Sequence, residues 1–435
     1  MSSGLVVDKL VPGGQGIATL PDGKKIFLWN ALPKEVVTEY EITKKKSKYC
    51  EGIATKIENP APCRIEPVDG CYLSTSPWQV LDHEAELKYK IDLLAEVFRQ
   101  HDIYDSVFFT TLKVKMNSDF YHYRNKMEYS LFWDNDEQKI KLAFHKRGTH
   151  RKIPIVKSSL ERQEIFARAQ EIVDDLNARG EEARKYQSLL LRTDRAGNVS
   201  GGLLENYKPH PIFPPLSDVL LGYKYTYSVT GFFQINLPVY ELVLQEIAEY
   251  IRTEKVLDLY AGVGTIGLSV ARGRELTLVE VNPLAYAELE KNCQNIDRFD
   301  SLPYSGRLQN QKSKALKGVD FSGLLRDTVP NRAINQSNHI PKITPVLAKS
   351  EEALDFIQPD QTVILDPPRA GCDIKLLEKL LLETPETIIY LSCNPATQAR
   401  DLAILLAKYH IQKIQPYNFF PRTPHLENLV VLQRS

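Results

Sequence analysis

Val256-Leu257-Asp258-Leu259-Tyr260-Ala261-Gly262-Val263-Gly264-Thr265-Ile266-Gly267 reads as a strand, a glycine turn and the start of a helix. Working outward, further strands are expected at Leu276–Val281, Ile343–Ala348, Thr362–Leu365 and Thr387–Leu391, beside Val256–Leu259 itself. Helical patterns at Gly264–Ala271, Leu284–Asn292, Ile374–Leu382 and Thr397–Tyr409 fall between them. Strict alternation of this kind predicts an α/β fold with a parallel, doubly wound, Rossmann-like sheet. Its ligand site lies beyond the carboxyl ends of the strands. Ile411–Asn418 and Asn428–Gln433 read as a closing antiparallel hairpin. Stretch 300–342 has little periodicity and reads as an insertion. Residues 301–350 hold eight Lys or Arg against two Asp.

Upstream of residue 220 the pattern is different. Leu5–Val7, Gly13–Ala18, Lys25–Trp29, Glu35–Ile42 and Gly52–Ile57 look like five short strands with glycine corners. They suit a small β-barrel of the OB type, which either binds oligonucleotides or serves a structural role. Lys44-Lys45-Lys46-Ser47-Lys48 is a phosphate patch or a solvated turn. Pro60-Ala61-Pro62 marks a boundary. In Glu84–Arg99 the residues Leu87, Ile91, Leu94, Ala95 and Phe98 share one helical face. Val107–Val156 is strand-like, and residues 143–157 carry Lys146, Arg147, Arg151, Lys152 and Lys157 with no acid, a candidate nucleic-acid track. An amphipathic helix at Glu161–Arg179 and the proline-rich run Pro209–Pro215 complete this region.

In 435 residues, 55 Lys and Arg balance 55 Asp and Glu. That balance excludes a broadly basic nucleic-acid coat, so such a partner must be held by local patches. No apolar stretch approaches the roughly 18 residues of a membrane span and Met1–Pro12 lacks a leader pattern, so a cytoplasmic location is expected. Six cysteines in so long a chain read as reduced thiols rather than a disulfide scaffold.

The glycine stretch contains G-x-G-x-x-G, and Glu280 ends the next strand, where an acid can grip a ribose hydroxyl. Taken alone this suits either a nicotinamide dinucleotide or S-adenosylmethionine. Asp258, inside the strand end, favours the latter: a carboxylate there welcomes an ammonium and repels a pyrophosphate. Asp366-Pro367-Pro368-Arg369 follows another buried strand and is a substrate-facing loop by position. Cys393, in Tyr390-Leu391-Ser392-Cys393-Asn394-Pro395, is a small buried hydrophobe or, given the tight Asn-Pro exit, a nucleophile presented to the cleft. Glu427 follows two prolines, Pro421 and Pro424, in a rigid loop or a solvated turn.

Taken in order, these motifs resemble the RNA 5-methyluridine methyltransferase family over almost the whole chain. The supporting stretches are the Gly13-Gly14-Gln15-Gly16 corner, Tyr123-Arg124-Asn125-Lys126, Phe232-Phe233-Gln234-Ile235-Asn236, the glycine turn, Asp366-Pro367-Pro368-Arg369, Ser392-Cys393-Asn394-Pro395 and Pro424-His425-Leu426-Glu427. The resemblance implies an RNA-binding TRAM barrel over 1–60. A central α+β domain for RNA recognition follows over 61–215, its helix 84–100 packing on the catalytic part. A methyltransferase domain occupies 216–435. It implies Cys393 as nucleophile and Glu427 as base. Gln234, Tyr260, Glu280 and Asp366 contact S-adenosylmethionine, with Asp258 and Gly262 lining its pocket. Arg124, Phe232 and Asp366 face the substrate. The expected substrate is RNA, 23S rRNA first and the tRNA T-loop second, acted on by a monomer.

Many members of that family hold a 4Fe–4S cluster on four cysteines. Here Cys63, Cys71 and the extra Cys50 are one ligand short, with Asp69 near the central position and the later position falling near Lys157-Ser158-Ser159, where no cysteine stands. The chain is therefore expected to lack the cluster, and no metal ligands are assigned. The competing readings are a nicotinamide-dependent oxidoreductase, which leaves Cys393 and Glu427 idle, and an inactive RNA-binding homologue.

Overall fold

The computed structural model describes residues 4–103, 105–300 and 342–435. The insertion expected over about 300–342 lies almost wholly outside them. The chain opens with a six-stranded sheet: β1 (Leu5–Val6), β2 (Lys9–Leu10), β3 (Gly16–Thr19), β4 (Lys25–Trp29), β5 (Val36–Lys45) and β6 (Tyr49–Glu58). The order is β1-β5-β6-β4-β3-β2, and only β4 and β6 run parallel. One strand more than expected arises because a turn at Val11–Gln15 folds Lys9–Leu10 back onto β3. Alternate residues Ala18, Ile26, Leu28, Val37, Cys50 and Ala54 point into its core. Cys50 is thus a packing residue.

A connecting segment holds helices α1 (Tyr72–Thr75) and α2 (His83–Arg99), the latter capped by Asp82, which accepts from Ala85 N at 2.7 Å. Leu94, Ala95, Val97 and Phe98 of α2 join the same apolar cluster as Leu376, Leu377 and Leu402, far along the chain. The buried face differs from the one periodicity picks out. Glu86 and Lys90 are fully covered, whereas Leu87 and Ile91 are half-buried. A helix α3 (Ser106–Thr111) stands where a strand pattern was expected from Val107, with Asp105 capping its first turn.

The next sheet contains β7 (Lys126–Asp134), β8 (Lys139–His145), β9 (Lys152–Pro154), β10 (Tyr186–Thr193) and β11 (Val199–Glu205), ordered β11-β10-β7-β8-β9. Helix α4 (Gln163–Ala178) covers it through Ile165, Ala169, Val173 and Leu176, residues at helical spacing. The candidate basic track is partly consumed here. Lys146 pairs with Glu41 at 2.8 Å, Arg147 lies 4.2 Å over the Trp29 ring, and Lys152 donates to Leu131 O at 2.9 Å. Arg151 and Lys157 stay exposed.

A hairpin, β12 (Leu216–Leu220) and β13 (Tyr223–Tyr227), and helix α5 (Leu237–Ala248) lead into the largest sheet. Its strands are β14 (Lys255–Leu259), β15 (Glu275–Glu280), β16 (Ile343–Leu347), β17 (Gln361–Leu365), β18 (Thr387–Ser392), β19 (Tyr409–Tyr417) and β20 (Glu427–Arg434). They run in the order β16-β15-β14-β17-β18-β20-β19, parallel through β18, with β20 antiparallel to both neighbours. Helices α6 (Thr265–Val270), α7 (Pro283–Asp300), α8 (Ile374–Glu383) and α9 (Pro395–Leu405) make the crossovers. Every residue of β17 and β18 is buried, as expected for parallel strands covered on both faces. The carboxyl ends of β14, β15, β17 and β18 and the start of β20 form one edge, where the chain's chemistry collects.

Candidate active site

The glycine turn after β14 is shaped by its backbone. Tyr260 (φ 66), Gly262 (φ 57) and Gly264 (φ 86) all take left-handed conformations, and Gly264 then caps α6. A Cβ on Gly264 would lie 2.5 Å from Leu289 Cδ1, whereas one on Gly262 would meet nothing within 4 Å. The turn is therefore packed against the protein at Gly264 and open at Gly262. Glu280, at the end of β15, accepts from Gly262 N at 2.8 Å and Asn282 N at 2.6 Å, holding the two strand ends together. Asn292 locks the turn from behind, donating to Val263 O at 3.0 Å.

Asp258 lies beneath this turn, wholly buried, accepting from Gly267 N at 2.8 Å through Oδ2, while Oδ1 has no hydrogen-bond partner. Burial, reinforced by the charges of Asp366 and Glu280, pushes its carboxyl up to about 8. An orphaned, destabilised carboxylate below an open glycine turn fits a cationic ligand better than a pyrophosphate.

Asp366, Cys393 and Glu427 converge. In register, Leu365 pairs with Tyr390 and Ser392 with Asn428, so the residue after β17, the residue after β18 and the first residue of β20 share one edge. Burial raises the Cys393 thiol to about 11, helped by the negative charges of Glu427 and Asp366 and opposed by Arg369. Glu427 is only 4% exposed; burial, then Asp366, holds its carboxyl well above the usual carboxylate range, and Arg369 again opposes. Burial takes Asp366 to about 7. Asn394 caps α9 through Ala396 N at 3.2 Å and donates to Arg369 O at 2.8 Å, tying the Cys393 loop to the Asp366 loop. The Asn-Pro pair thus does more than turn the chain.

Loop 228–236 brings the next group. Arg192, fully buried, donates to Phe233 O at 2.6 Å and Gly231 O at 3.1 Å, and Lys126 Nζ reaches Thr230 O and Gly231 O. Asn125 donates to Gln234 O and, through its own N–H, to Ile235 O. The segment containing Arg124 therefore docks against the one containing Gln234. Gln234 is 7% exposed and Phe232 72%, so one is set in the wall while the other projects. Burial, then the positive charges of Arg369, Lys90, Arg147 and Arg124, lowers His425 to about 4 and keeps its imidazole neutral.

Tyr260 stands at the start of the glycine turn, directly after β14. It lines a cavity of about 530 Å³ with Glu351, Pro368, Cys372, Ile374 and Arg400. Arg369, Asn292, Arg192 and Asn394 are residues the motif reading did not single out. Arg369 and Asn394 stood inside quoted motifs, but Asn292 and Arg192 had no local signal.

In the region where the resemblance puts a cluster, Asp69 accepts from Ser159 Oγ at 2.7 Å, Ser159 N at 3.1 Å and Gln79 Nε2 at 2.9 Å. Cys71 lies 4.0 Å from Lys157 O, while Cys63 packs with Trp78 and Leu81. Among the described residues no group of three or more His, Cys, Asp or Glu could hold a metal ion.

The structure of the Pyrococcus abyssi tRNA (uracil-54, C5)-methyltransferase, a complex with S-adenosyl-L-homocysteine, superposes with a TM-score of 0.69 at 21% identity, covering 98% of this chain and 99% of that one. The chain has a methyltransferase fold. Residues 354–435, which include Asp366, Cys393 and Glu427, match the family model described as tRNA (Uracil-5-)-methyltransferase. Residues 238–321 match a second, described as Conserved hypothetical protein 95. A Staphylococcus aureus (strain COL) protein named an uncharacterized RNA methyltransferase is 28% identical over 99% of this chain and 97% of its own. A Bacteroides thetaiotaomicron protein of the same description is 26% identical over 97% of this chain and 99% of its own. In this methyltransferase fold the open face of Gly262, Glu280 and the orphaned Asp258 oxygen stand where β14 and β15 end, beside the Asp366–Cys393–Glu427 edge. No helix among the described residues is long and apolar enough to cross a membrane.

Proposed function

We propose that this chain is an S-adenosylmethionine-dependent RNA methyltransferase acting on carbon 5 of a uridine, with Cys393 as nucleophile and Glu427 as base. The observation that carries the reading is the convergence of a thiol and a buried, proton-avid carboxyl on one sheet edge beside Asp366. Gly262, Glu280 and Asp258 would hold the methyl donor at the neighbouring strand ends, with Gln234 and Tyr260 flanking it.

Carbon 5 of uracil is a weak nucleophile. Attack of the Cys393 thiolate on carbon 6 forms an S–C bond and moves the ring's electron pair toward carbon 4, leaving carbon 5 nucleophilic. When bound, S-adenosylmethionine supplies the methyl group. Glu427 then takes the proton from carbon 5, and the returning electron pair breaks the S–C6 bond to release Cys393. The thiol's raised pKa calls for Arg369, whose positive charge favours the thiolate and the ionised Glu427 alike. Since Glu427 is buried and Cys393 half-buried, the uridine must leave its stack to reach them. Phe232 and Arg124 would receive it, a role supported by the exposure of Phe232 and by the docking of the Arg124 segment on loop 228–236.

A uridine of 23S rRNA is the first substrate class, supported by the TRAM-like barrel resemblance. A tRNA T-loop uridine is the second, favoured by the named substrate of the Pyrococcus abyssi protein. In the same reading the chain works without an iron–sulfur cluster, supported by the Asp69–Ser159 hydrogen bonds; stoichiometric iron and acid-labile sulfide in purified protein would overturn that. The main experiment incubates protein and S-adenosylmethionine with 5-fluorouridine-substituted rRNA or tRNA. Fluorine cannot be abstracted as a proton, so a denaturant-stable adduct should accumulate, and mapping it names the nucleotide. An adduct that survives Cys393→Ala, or none with either RNA, would sink the mechanism.

A further inference from the structure

The loop between β19 and β20, residues 418–426, delivers Glu427 to the cleft, and its main chain is held from four directions. Asn236 Nδ2 donates to Phe419 O at 3.1 Å and Lys90 Nζ to Phe420 O at 3.1 Å. Tyr123 Oη donates to Pro421 O at 3.1 Å and Trp78 N to Arg422 O at 3.0 Å. Hairpin loops ordinarily satisfy such carbonyls with water. Four successive carbonyls, each met by a different part of the chain, make a built seat.

At its centre Arg422 takes φ 64, a conformation uncommon for a residue with a side chain, and it is wholly buried. Its N–H is shared between the two Glu86 oxygens at 3.0 and 3.1 Å. Its guanidinium donates to Glu86 Oε2 at 2.9 Å, to Gln79 O at 3.2 Å and to Leu81 O. Lys90, one turn further along α2, lies 3.1 Å from Glu86 and donates to Asn418 Oδ1 at 2.6 Å. Beyond Arg422, Pro424 touches the N-terminal sheet. A Cβ on Gly14 would come within 2.3 Å of Pro424 Cβ, and Gly14 O accepts the Trp78 indole N–H at 3.0 Å.

A buried ion pair is weak evidence for stability, since well-packed apolar side chains often serve as well. What this arrangement supplies is one geometry for the loop. We propose that Arg422, seated on Glu86, is a positioning residue for Glu427, and that the seat is complete only when residues 76–90 and the Gly14 turn are docked. The proposal rests on Glu427 acting as the base. It separates two halves of the reaction: attack by Cys393 and methyl transfer do not need the seat, whereas proton removal and release do.

Arg422→Lys keeps the charge, but an ammonium cannot span Glu86, Gln79 O and Leu81 O as the guanidinium fork does. With S-adenosylmethionine and unmodified substrate RNA, this variant is expected to accumulate a denaturant-stable protein–RNA adduct. Its kcat should fall by about 10²-fold, a typical contribution of a positioned base. KM for RNA should stay within about twofold. Gly14→Ala, whose methyl would press on Pro424, should show the same accumulation to a smaller degree while leaving the Glu86–Arg422 pair intact. It decides the matter alone if Arg422→Lys does not fold. Glu427→Gln is the control. If it accumulates adduct and neither positioning variant does, the seat is overturned and the base assignment stands. If Glu427→Gln itself accumulates none, the reading beneath the proposal falls.

Discussion

Cys393, Glu427 and Asp366 illustrate how burial shapes chemistry at the scale of single residues. Each is pushed toward its neutral form by desolvation, and the charge of Arg369 pulls Cys393 and Glu427 the other way. The base form of Glu427 is lost as pH falls through its raised pKa, so single-turnover proton removal and product release should speed up as pH rises through that raised value. Arg369→Ala removes the opposing cation and should move that rising limb to higher pH, read from a pH–rate profile. An unmoved profile would remove Arg369 from the site. Asp258 gives a stability prediction with a definite sign. Its folded-state pKa, about 8, is raised above the ordinary carboxylate value of 3.8, so the stability it contributes is fully present below 3.8 and lost as pH rises through 8. Thermal denaturation without donor should therefore show wild type losing ground to Asp258→Asn between about pH 4 and 8. Parallel curves would mean the carboxyl is not strained.

Elements carry the next level of the design. Gly267, in the first turn of α6, has no room for a methyl: a Cβ would lie 2.8 Å from Asp258 Oδ2 and 3.0 Å from Leu278 Cδ2. Gly267→Ala should destabilise by about 1–3 kcal/mol, the usual range for overpacking a core, and weaken donor binding in calorimetry. Asn394→Ala removes both the α9 cap and the bond to Arg369 O, and should lose about 1 kcal/mol of stability. A variant that melts as wild type yet keeps full activity would show the cap to be dispensable. The strands and helices themselves were largely readable in the residues. The alternation from Val256 to Gln433 predicted the parallel sheet and its closing hairpin, because apolar runs and turn residues are local signals. α2 was harder. Its apolar stripe predicted a helix but not the burial of Glu86 and Lys90, whose partners Arg422 and Asn418 lie more than 300 positions away.

For the molecule as a whole, zero net charge describes an average over unlike parts. The positive stretch 143–157 turns out to be divided. Lys146, Arg147 and Lys152 join the central sheet to the N-terminal one or to itself, and Arg151 and Lys157 remain exposed. If those two contact phosphates, replacing both with Ala should lower the salt dependence of RNA binding by about 1.4 in slope, roughly 0.7 per single-strand contact. Filter binding across a salt series measures it, and an unchanged slope would place the RNA elsewhere. Arg147→Ala should act differently, loosening the packing on Trp29 and lowering the melting temperature.

The sequence by itself determined the α/β order, the glycine turn, and the positions along the chain of a thiol, an acid and an Asp-Pro-Pro-Arg loop. Those features are written in neighbouring residues, through periodicity, glycine conformational freedom and proline restraint. Tertiary structure alone decided that Asp258 lies under the turn with one oxygen unpaired and that Asp69 bonds Ser159, ninety positions along the chain. It alone set the loop before Glu427 on Glu86 and Arg422. Each of these is a buried polar group whose charge state and partners depend on which distant segment covers it, and desolvation has no signature in a local stretch of sequence.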